Sequence, residues 1–173
     1  MGISGTINHL QIAAIAAAVP GQPVENATYL SRVGEEGVRK FAKMTGVMSR
    51  HHVQTLKTSD LAFAAAEQLR MKGHWNPESV DAVLFVSQTA DASLPSTACI
   101  LHGRLALHKA CAAMDIQLGC SGFIYGLLSG GGIFQCKDFE RYSFWAETVS
   151  VGFVLLMTWQ TKCYLAMLDL LQF

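Results

Sequence analysis

The residues best arranged for chemistry lie in Met114-Asp-Ile-Gln-Leu-Gly-Cys120-Ser-Gly-Phe-Ile-Tyr-Gly126. An apolar run, Cys111 to Leu118, arrives at a cysteine flanked by Gly119 and Gly122, and a helix-compatible segment, Phe123 to Leu128, leaves it. Strand, tight turn and helix start together present one side chain at the carboxyl end of a sheet. They also place it in the positive field of a helix N-terminus, which favours the nucleophilic thiolate over the thiol. The glycines suit such a turn because they accept positive φ and permit close approach of another backbone or a substrate. The competing account is plain: a cysteine in an apolar stretch is ordinarily a small buried hydrophobe. These residues alone leave both open.

Other groups that could do chemistry form no comparable pattern. The remaining cysteines, Cys99, Cys111, Cys136 and Cys163, make no C-x-x-C pair and have no regular spacing, so each is expected to be a packing residue. An odd total of 5 without a secretion signal reads as reduced thiols in the cytoplasm, not as a disulfide framework. All 6 histidines precede Cys120, and the adjacent pair His51-His52 does not share a helix face, so no metal site is expected. His102 and His108 are expected to be exposed or capping at a helix end, and Trp145 and Trp159 to be buried apolar mass.

A length of 173 residues suits one domain with a substantial core. Lysine plus arginine and aspartate plus glutamate balance at 13 each, with no basic stripe, which argues against nucleic acid or an anionic membrane as the main partner. Hydrophobic residues make up 51% of the chain and charged residues only 15%, a balance that points to surface covered by another chain or domain. Neither apolar segment resembles a membrane element. Ile12 to Val19 lacks a preceding basic residue, the first being Arg32, and Thr148 to Thr161 falls short of the roughly 20 residues that span a bilayer.

The elements that must position Cys120 can be read in order. Gln11 to Val19, closed by Pro20-Gly21, is either a helix or a buried strand. Thr28 to Met44 reads as helical turns weakened by Gly34 and Gly37 and broken at Thr45-Gly46. Thr58-Ser59-Asp60 caps a helix carrying Leu61, Ala65 and Leu69 on one face and ending at Gly73, and Asn76-Pro77-Glu78 starts a single turn. Ala82 to Val86 reads as a strand buried on both faces, followed by a polar loop, Ser87 to Ser93, and a helix from about Ser96 to Leu107. Cys111 to Gln117 is the second buried strand. Gly130-Gly131-Gly132 is expected to break the helix after Cys120, at about 1 kcal/mol per glycine relative to alanine. Tyr142 to Val149 suits another strand. Strands alternating with helices predict an α/β fold with helices packed on a sheet.

Asp115-Ile-Gln-Leu-Gly-Cys-Ser-Gly-Phe123 resembles the nucleophile segment of the β-ketoacyl-acyl carrier protein synthase III family of the thiolase superfamily. Four further stretches agree in order and spacing: Thr45-Gly46-Val47 with Ser49-Arg50-His51; Ser59-Asp60-Leu61-Ala62; Val80 to Val86 continuing through Thr89, Asp91 and Leu94-Pro95-Ser96-Thr97-Ala98-Cys99; and Glu147-Thr148-Val149-Ser150. The resemblance spans roughly residues 3 to 150. It implies a thiolase-like fold, N-terminal half only, with a mixed sheet covered by helices. Cys120 would accept an acyl group from a coenzyme A thioester, which is substrate and not resident cofactor, with its backbone N–H in an oxyanion hole. Leu94 would reach the acyl pocket of a partner in a homodimer, and Phe123 would either line the acyl channel or pack the helix. The family's full reaction is a decarboxylating Claisen condensation with malonyl-acyl carrier protein.

The departures are as informative. The family's catalytic histidine and asparagine follow the cysteine by a long interval, yet here no histidine follows Cys120 and the last asparagine is Asn76. Lys40 and Met44 stand where many members carry the tryptophan and arginine that contact coenzyme A. Residues 1–150 are therefore expected to be the N-terminal half of a condensing enzyme, and 151–173 a non-family apolar tail left by a frameshift or premature end. The functional expectation is a truncated, cytoplasmic acyltransferase of the synthase III type. Its alternative is an inactive fragment serving only as a dimerisation or interaction module, oligomeric or poorly soluble by itself.

Overall fold

The computed structural model describes residues 10–134, 143–148 and 151–159. Its centre is the run Ala82–Ser87, which forms a strand buried at all six positions. Continuous Ala-Val-Leu-Phe-Val suits such a strand because no face is left for water, and Phe85 and Leu84 are among the largest fully buried side chains. In chain order the strands are β1 (Leu10–Ala18), β2 (Val24–Glu25), β3 (Ser49–Arg50), β4 (Ala82–Ser87), β5 (Ala112–Ile116), β6 (Ser143–Thr148) and β7 (Val151–Trp159). The helices are α1 (Leu30–Thr45), α2 (Thr58–Met71), α3 (Thr97–Arg104) and α4 (Gly122–Phe134). The main sheet has the order β1-β7-β6-β4-β5, and β2 pairs with β3 separately. β4 runs parallel to both β5 and β6, whereas β7 is antiparallel to β6 and β1. The sheet is therefore mixed, and it includes β7, which lies in the apolar segment that begins at Val151.

The Ala-rich segment left open between helix and strand is β1. Pairing with β7 decides the matter, since a row of backbone groups at a sheet edge is satisfied by a neighbour regardless of alanine's helix propensity. Leu61, Ala62, Ala65, Ala66 and Leu69 form the buried face of α2. Its cap lies one residue earlier than expected: Asp60 reaches back to accept from the Lys57 N–H at 2.8 Å. Gly73 follows the helix at φ 75, the left-handed conformation glycine supplies cheaply. Gly34, at φ 70, interrupts α1 where the sequence is weakest, and Gly46, at φ 73, ends it. Trp75 closes the core beside α2, its indole N–H donating to the Ala66 carbonyl at 3.0 Å.

Three expectations are corrected. β5 is the edge strand of the sheet among the described residues, half-buried, with Met114 39% exposed; an edge has one neighbour strand, so apolar composition alone does not bury it. The helix after Cys120 runs unbroken through Gly130-Gly131-Gly132 to Phe134. Gly130 and Gly131 are buried there, and α4 packs on β4 and β6, so close approach of a side-chain-free helix face outweighs a propensity penalty of roughly 3 kcal/mol. Cys99 is exposed, not packed, because α3 turns that position outward. His102 is half-buried and bonds the His108 carbonyl at 3.1 Å, closing the turn after α3. Cys136, Cys163 and residues 160–173 lie outside the described residues, as do the surroundings of Trp145 and Trp159.

Cys111 is buried at the entrance to β5, and burial, reinforced by the nearby Asp81 carboxylate, pushes its thiol from 9.0 up to about 12. A group whose pKa is raised by folding stabilises the folded state below its unfolded value. That contribution disappears as pH climbs towards the folded value. Between pH 9 and about 12 the loss is on the order of 4 kcal/mol. Denaturant titrations at rising pH are expected to show a steep loss of stability above pH 9 that is blunted in Cys111→Ala; identical pH dependence in both proteins would remove Cys111 as its source.

Candidate active site

β5 ends at Ile116 and α4 begins at Gly122, so five residues turn the chain from strand to helix with Cys120 exposed at the bend. The Gly122 N–H donates to the Gly119 carbonyl at 2.6 Å, and the Tyr125 N–H to the Ser121 carbonyl at 3.2 Å, which starts the helix immediately after the cysteine. Among the described residues the Cys120 N–H has no hydrogen-bond acceptor.

Both flanking glycines are set by what lies against them. A Cβ on Gly122 would sit 2.6 Å from Val86 Cγ1 and 3.2 Å from Leu118 Cβ. Val86 is a buried β4 residue with a stiff, β-branched side chain, so the start of α4 is pressed onto the last turn of the central strand. A Cβ on Gly119 would collide with the end of the Gln88 side chain. The two glycines therefore dock the cysteine turn onto β4 and onto the first residue beyond it.

The loop leaving β4 is fixed by a network of hydroxyls and carboxylates. Ser87 Oγ accepts from the Thr89 N–H at 3.0 Å, and Thr89 Oγ1 lies 3.2 Å from Thr58 Oγ1. Asp91 accepts from the Ser59 N–H at 3.1 Å and from the Ser59 hydroxyl at 2.6 Å, while its own N–H donates to Thr97 Oγ1 at 3.0 Å. Asp115, the next-to-last residue of β5, accepts from the Thr97 and Ala98 N–H groups at 2.8 and 2.7 Å. Arg104 donates to Ser59 Oγ at 3.0 Å and Asp60 Oδ1 at 2.9 Å while covering the Phe63 ring at 4.6 Å. The sequence pattern marked Thr89, Asp91, Thr97 and Asp115 as part of a resemblance without revealing that they bond across elements. Gln88 went unnoticed, since a single glutamine in a polar loop carries no signal.

Of the expected site residues, Cys120 and Phe123 sit on one turn. Phe123 is half-buried and packs against the core cluster beneath the helix. Leu94 lies on the neighbouring loop and is 88% exposed, so it packs against almost nothing in its own chain. His51 bonds the Pro20 carbonyl at 2.9 Å and His52 the Tyr29 hydroxyl at 2.6 Å, partners that hold the rings apart in function. Among the described residues no group of three or more potential metal ligands converges, and no helix is long and apolar enough to cross a membrane. Away from the cysteine turn, a concavity of about 400 Å³ lies along α1 between Tyr29, Val33, Phe41 and Arg50. There the Arg50 guanidinium stacks 4.7 Å over Phe41 and donates to Asn26 Oδ1 at 3.0 Å.

No protein-family model matches the chain. Solved structures do. A 3-oxoacyl-(acyl-carrier protein) synthase from Burkholderia xenovorans LB400 superposes with a TM-score of 0.76 at 28% identity, over 88% of this chain and 49% of its own. A 3-oxoacyl-(acyl-carrier-protein) synthase III gives 0.77 at 24% identity, over 95% of this chain and 51% of its own. The synthase III of Aquifex aeolicus VF5 gives 0.76 at 18% identity, over 86% and 53%. The chain thus spans about half the length of each of these structures.

The packing around the two glycines separates their roles. Gly122→Ala is expected to lower stability by about 1–2 kcal/mol, because crowding against Val86 outweighs the roughly 1 kcal/mol of helix propensity alanine adds. Gly119→Ala needs only a flexible side-chain end to swing away and is expected to stay within about 0.5 kcal/mol of the parent. Denaturant midpoints of the two variants decide it; equal losses would mean the turn is not docked through Gly122.

Proposed function

We propose that this chain, which has the α/β fold of the N-terminal half of a thiolase-like condensing enzyme, is an acyl-accepting unit of the 3-oxoacyl-acyl carrier protein synthase III type. The observation that carries the proposal is Cys120: an exposed thiol at the carboxyl end of β5, at the entrance to α4, in a fold shared with such a synthase at 28% identity. Its thiolate attacks the carbonyl carbon of an acyl-coenzyme A. The thioester bond to coenzyme A breaks, coenzyme A leaves as its thiol with the proton that Cys120 gave up, and the acyl group remains on Cys120. The Cys120 N–H, with no described acceptor of its own, is a donor available to the oxyanion that forms on the way.

Acylation is the step these residues favour. The condensation that follows in the synthase III reaction, with malonyl-acyl carrier protein, develops enolate charge that needs further donors. The sequence offers no histidine after Cys120 and no asparagine after Asn76 to provide them. Leu94, exposed on the loop beyond β4, would contact a second copy in a homodimer, and Phe123 packs against the core beneath the helix. Cys99, Cys111 and Cys120 are free thiols, in keeping with a reducing cytoplasm.

A second reading is an interaction module without catalysis. β5, the cysteine turn and α4 expose Met114, Leu118, Ile124, Tyr125 and Leu128, and exposed apolar side chains beside a strand edge unpaired among the described residues favour association.

Incubation with acetyl-coenzyme A followed by mass spectrometry is expected to add one acetyl group to Cys120, absent in Cys120→Ala. Absence of an adduct, while iodoacetamide still labels exposed Cys99, would leave the interaction module. Light scattering is expected to report a dimer or larger species; a monodisperse monomer would refute association through β5 and α4.

A further inference from the structure

We propose that the Gln88 carboxamide is a hydrogen-bond donor to the carbonyl oxygen of a thioester held at Cys120, and so a second member of the oxyanion site. The proposal rests on the acyl-accepting role of Cys120 and adds a side-chain donor to it. Three observations support it. Gln88 is the first residue beyond β4, so its backbone is anchored to the most deeply buried strand of the molecule, and the adjoining Ser87–Thr89 bond fixes the direction in which the loop leaves. The end of its side chain lies over Gly119, the residue whose carbonyl carbon is bonded to the Cys120 nitrogen; a Cβ there would touch Gln88 Cδ at 3.0 Å and Cγ at 3.7 Å and overlap Nε2. Gln88 is exposed, so a thioester arriving from solvent can reach its side chain.

Chemistry explains why a carboxamide is suited to this place. An apolar side chain would cover Gly119 equally well, but an amide brings two N–H groups beside the Gly119–Cys120 peptide, whose own N–H has no described acceptor. No described acceptor engages those N–H groups. When the Cys120 sulfur adds to the carbonyl carbon, the oxygen gains negative charge and both donors strengthen their hold on it; no proton is transferred to or from Gln88. A missing donor of this kind slows acyl transfer by roughly 100- to 1000-fold.

The test uses the full chain. Gln88→Met keeps the bulk over Gly119 and removes the donors, and Gln88→Glu keeps the shape and replaces the amide by an acceptor. Both are expected to slow acetyl transfer from acetyl-coenzyme A to Cys120 by at least about 10-fold, while the rate of Cys120 alkylation by iodoacetamide stays within about twofold. Alkylation builds no oxyanion, so it reports the thiol and the integrity of the turn alone. Acetyl transfer at the parent rate in either folded variant overturns the proposal, leaving Gln88 as a packing residue. Equal losses in acetylation and alkylation overturn it too, since they show a displaced turn and not a lost donor. A parent protein that is alkylated at Cys120 but never acetylated overturns the acyl-accepting reading, and the role of Gln88 falls with it.

Discussion

The Asp115 carboxylate ties together the two pieces of backbone between which the cysteine turn must sit. It lies in β5, the strand that delivers Cys120, yet both of its oxygens accept from the first N–H groups of α3. Those N–H groups have no partner inside the helix, and Ser96 Oγ takes the third from Cys99 at 3.3 Å. A carboxylate facing a helix N-terminus also gains from the dipole, and each charge-assisted bond contributes about 1.5–3 kcal/mol when it is shielded from water. The result is a fixed distance between β5 and the start of α3. The loop carrying Leu94 must close inside that distance, and Asp91 sets its other end by capping α2 through Ser59. Helices of the kind that follow β4 and precede β5 are thus oriented by side chains from the sheet and its loops, not only by apolar burial.

That arrangement shows which features a sequence can display. β4 was legible because five consecutive apolar residues leave no amphipathic alternative, and α2 because a polar cluster, a 3.6-residue apolar stripe and a terminal glycine all agree. Local signals there coincide with the tertiary outcome. At Gly130-Gly131-Gly132 they conflict, and packing on β4 and β6 prevails. β5 failed for a different reason. Composition reports how apolar a strand is, whereas its burial depends on its position in the order β1-β7-β6-β4-β5, which no local pattern encodes.

The site divides along the same line. Cys120 with its two glycines was legible since strand, turn and helix start are written consecutively, and the resemblance reinforced them. Gln88 was not, and Asp91 stood out only through the resemblance and without its bonds, because their partners lie 31 or 32 positions away and polar loop residues have no periodicity to betray a contact. Even the reasons for the glycines needed coordinates. Gly122 is required by Val86 in the central strand and Gly119 by a glutamine side chain, so two residues that look equivalent in sequence answer to a rigid neighbour in one case and a movable one in the other.

Acyl transfer and condensation make different demands on such a site. In acyl transfer the leaving group is a thiolate, the nucleophile is a thiolate, and the charge that must be held appears on one oxygen; one or two N–H donors aimed at that oxygen meet the need. Condensation generates a carbanion on a second substrate, some distance from the sulfur, and its stabilisation calls for donors placed over that substrate and not over the turn. The bonded polar groups of the loop after β4, and Asp115 of β5, hold backbone in place. The end of the Gln88 side chain lies against Gly119 in that turn, and the donor role proposed for it concerns only the first of the two charges. The proposed acyl uptake at Cys120 therefore asks less of the surrounding residues than a condensation would.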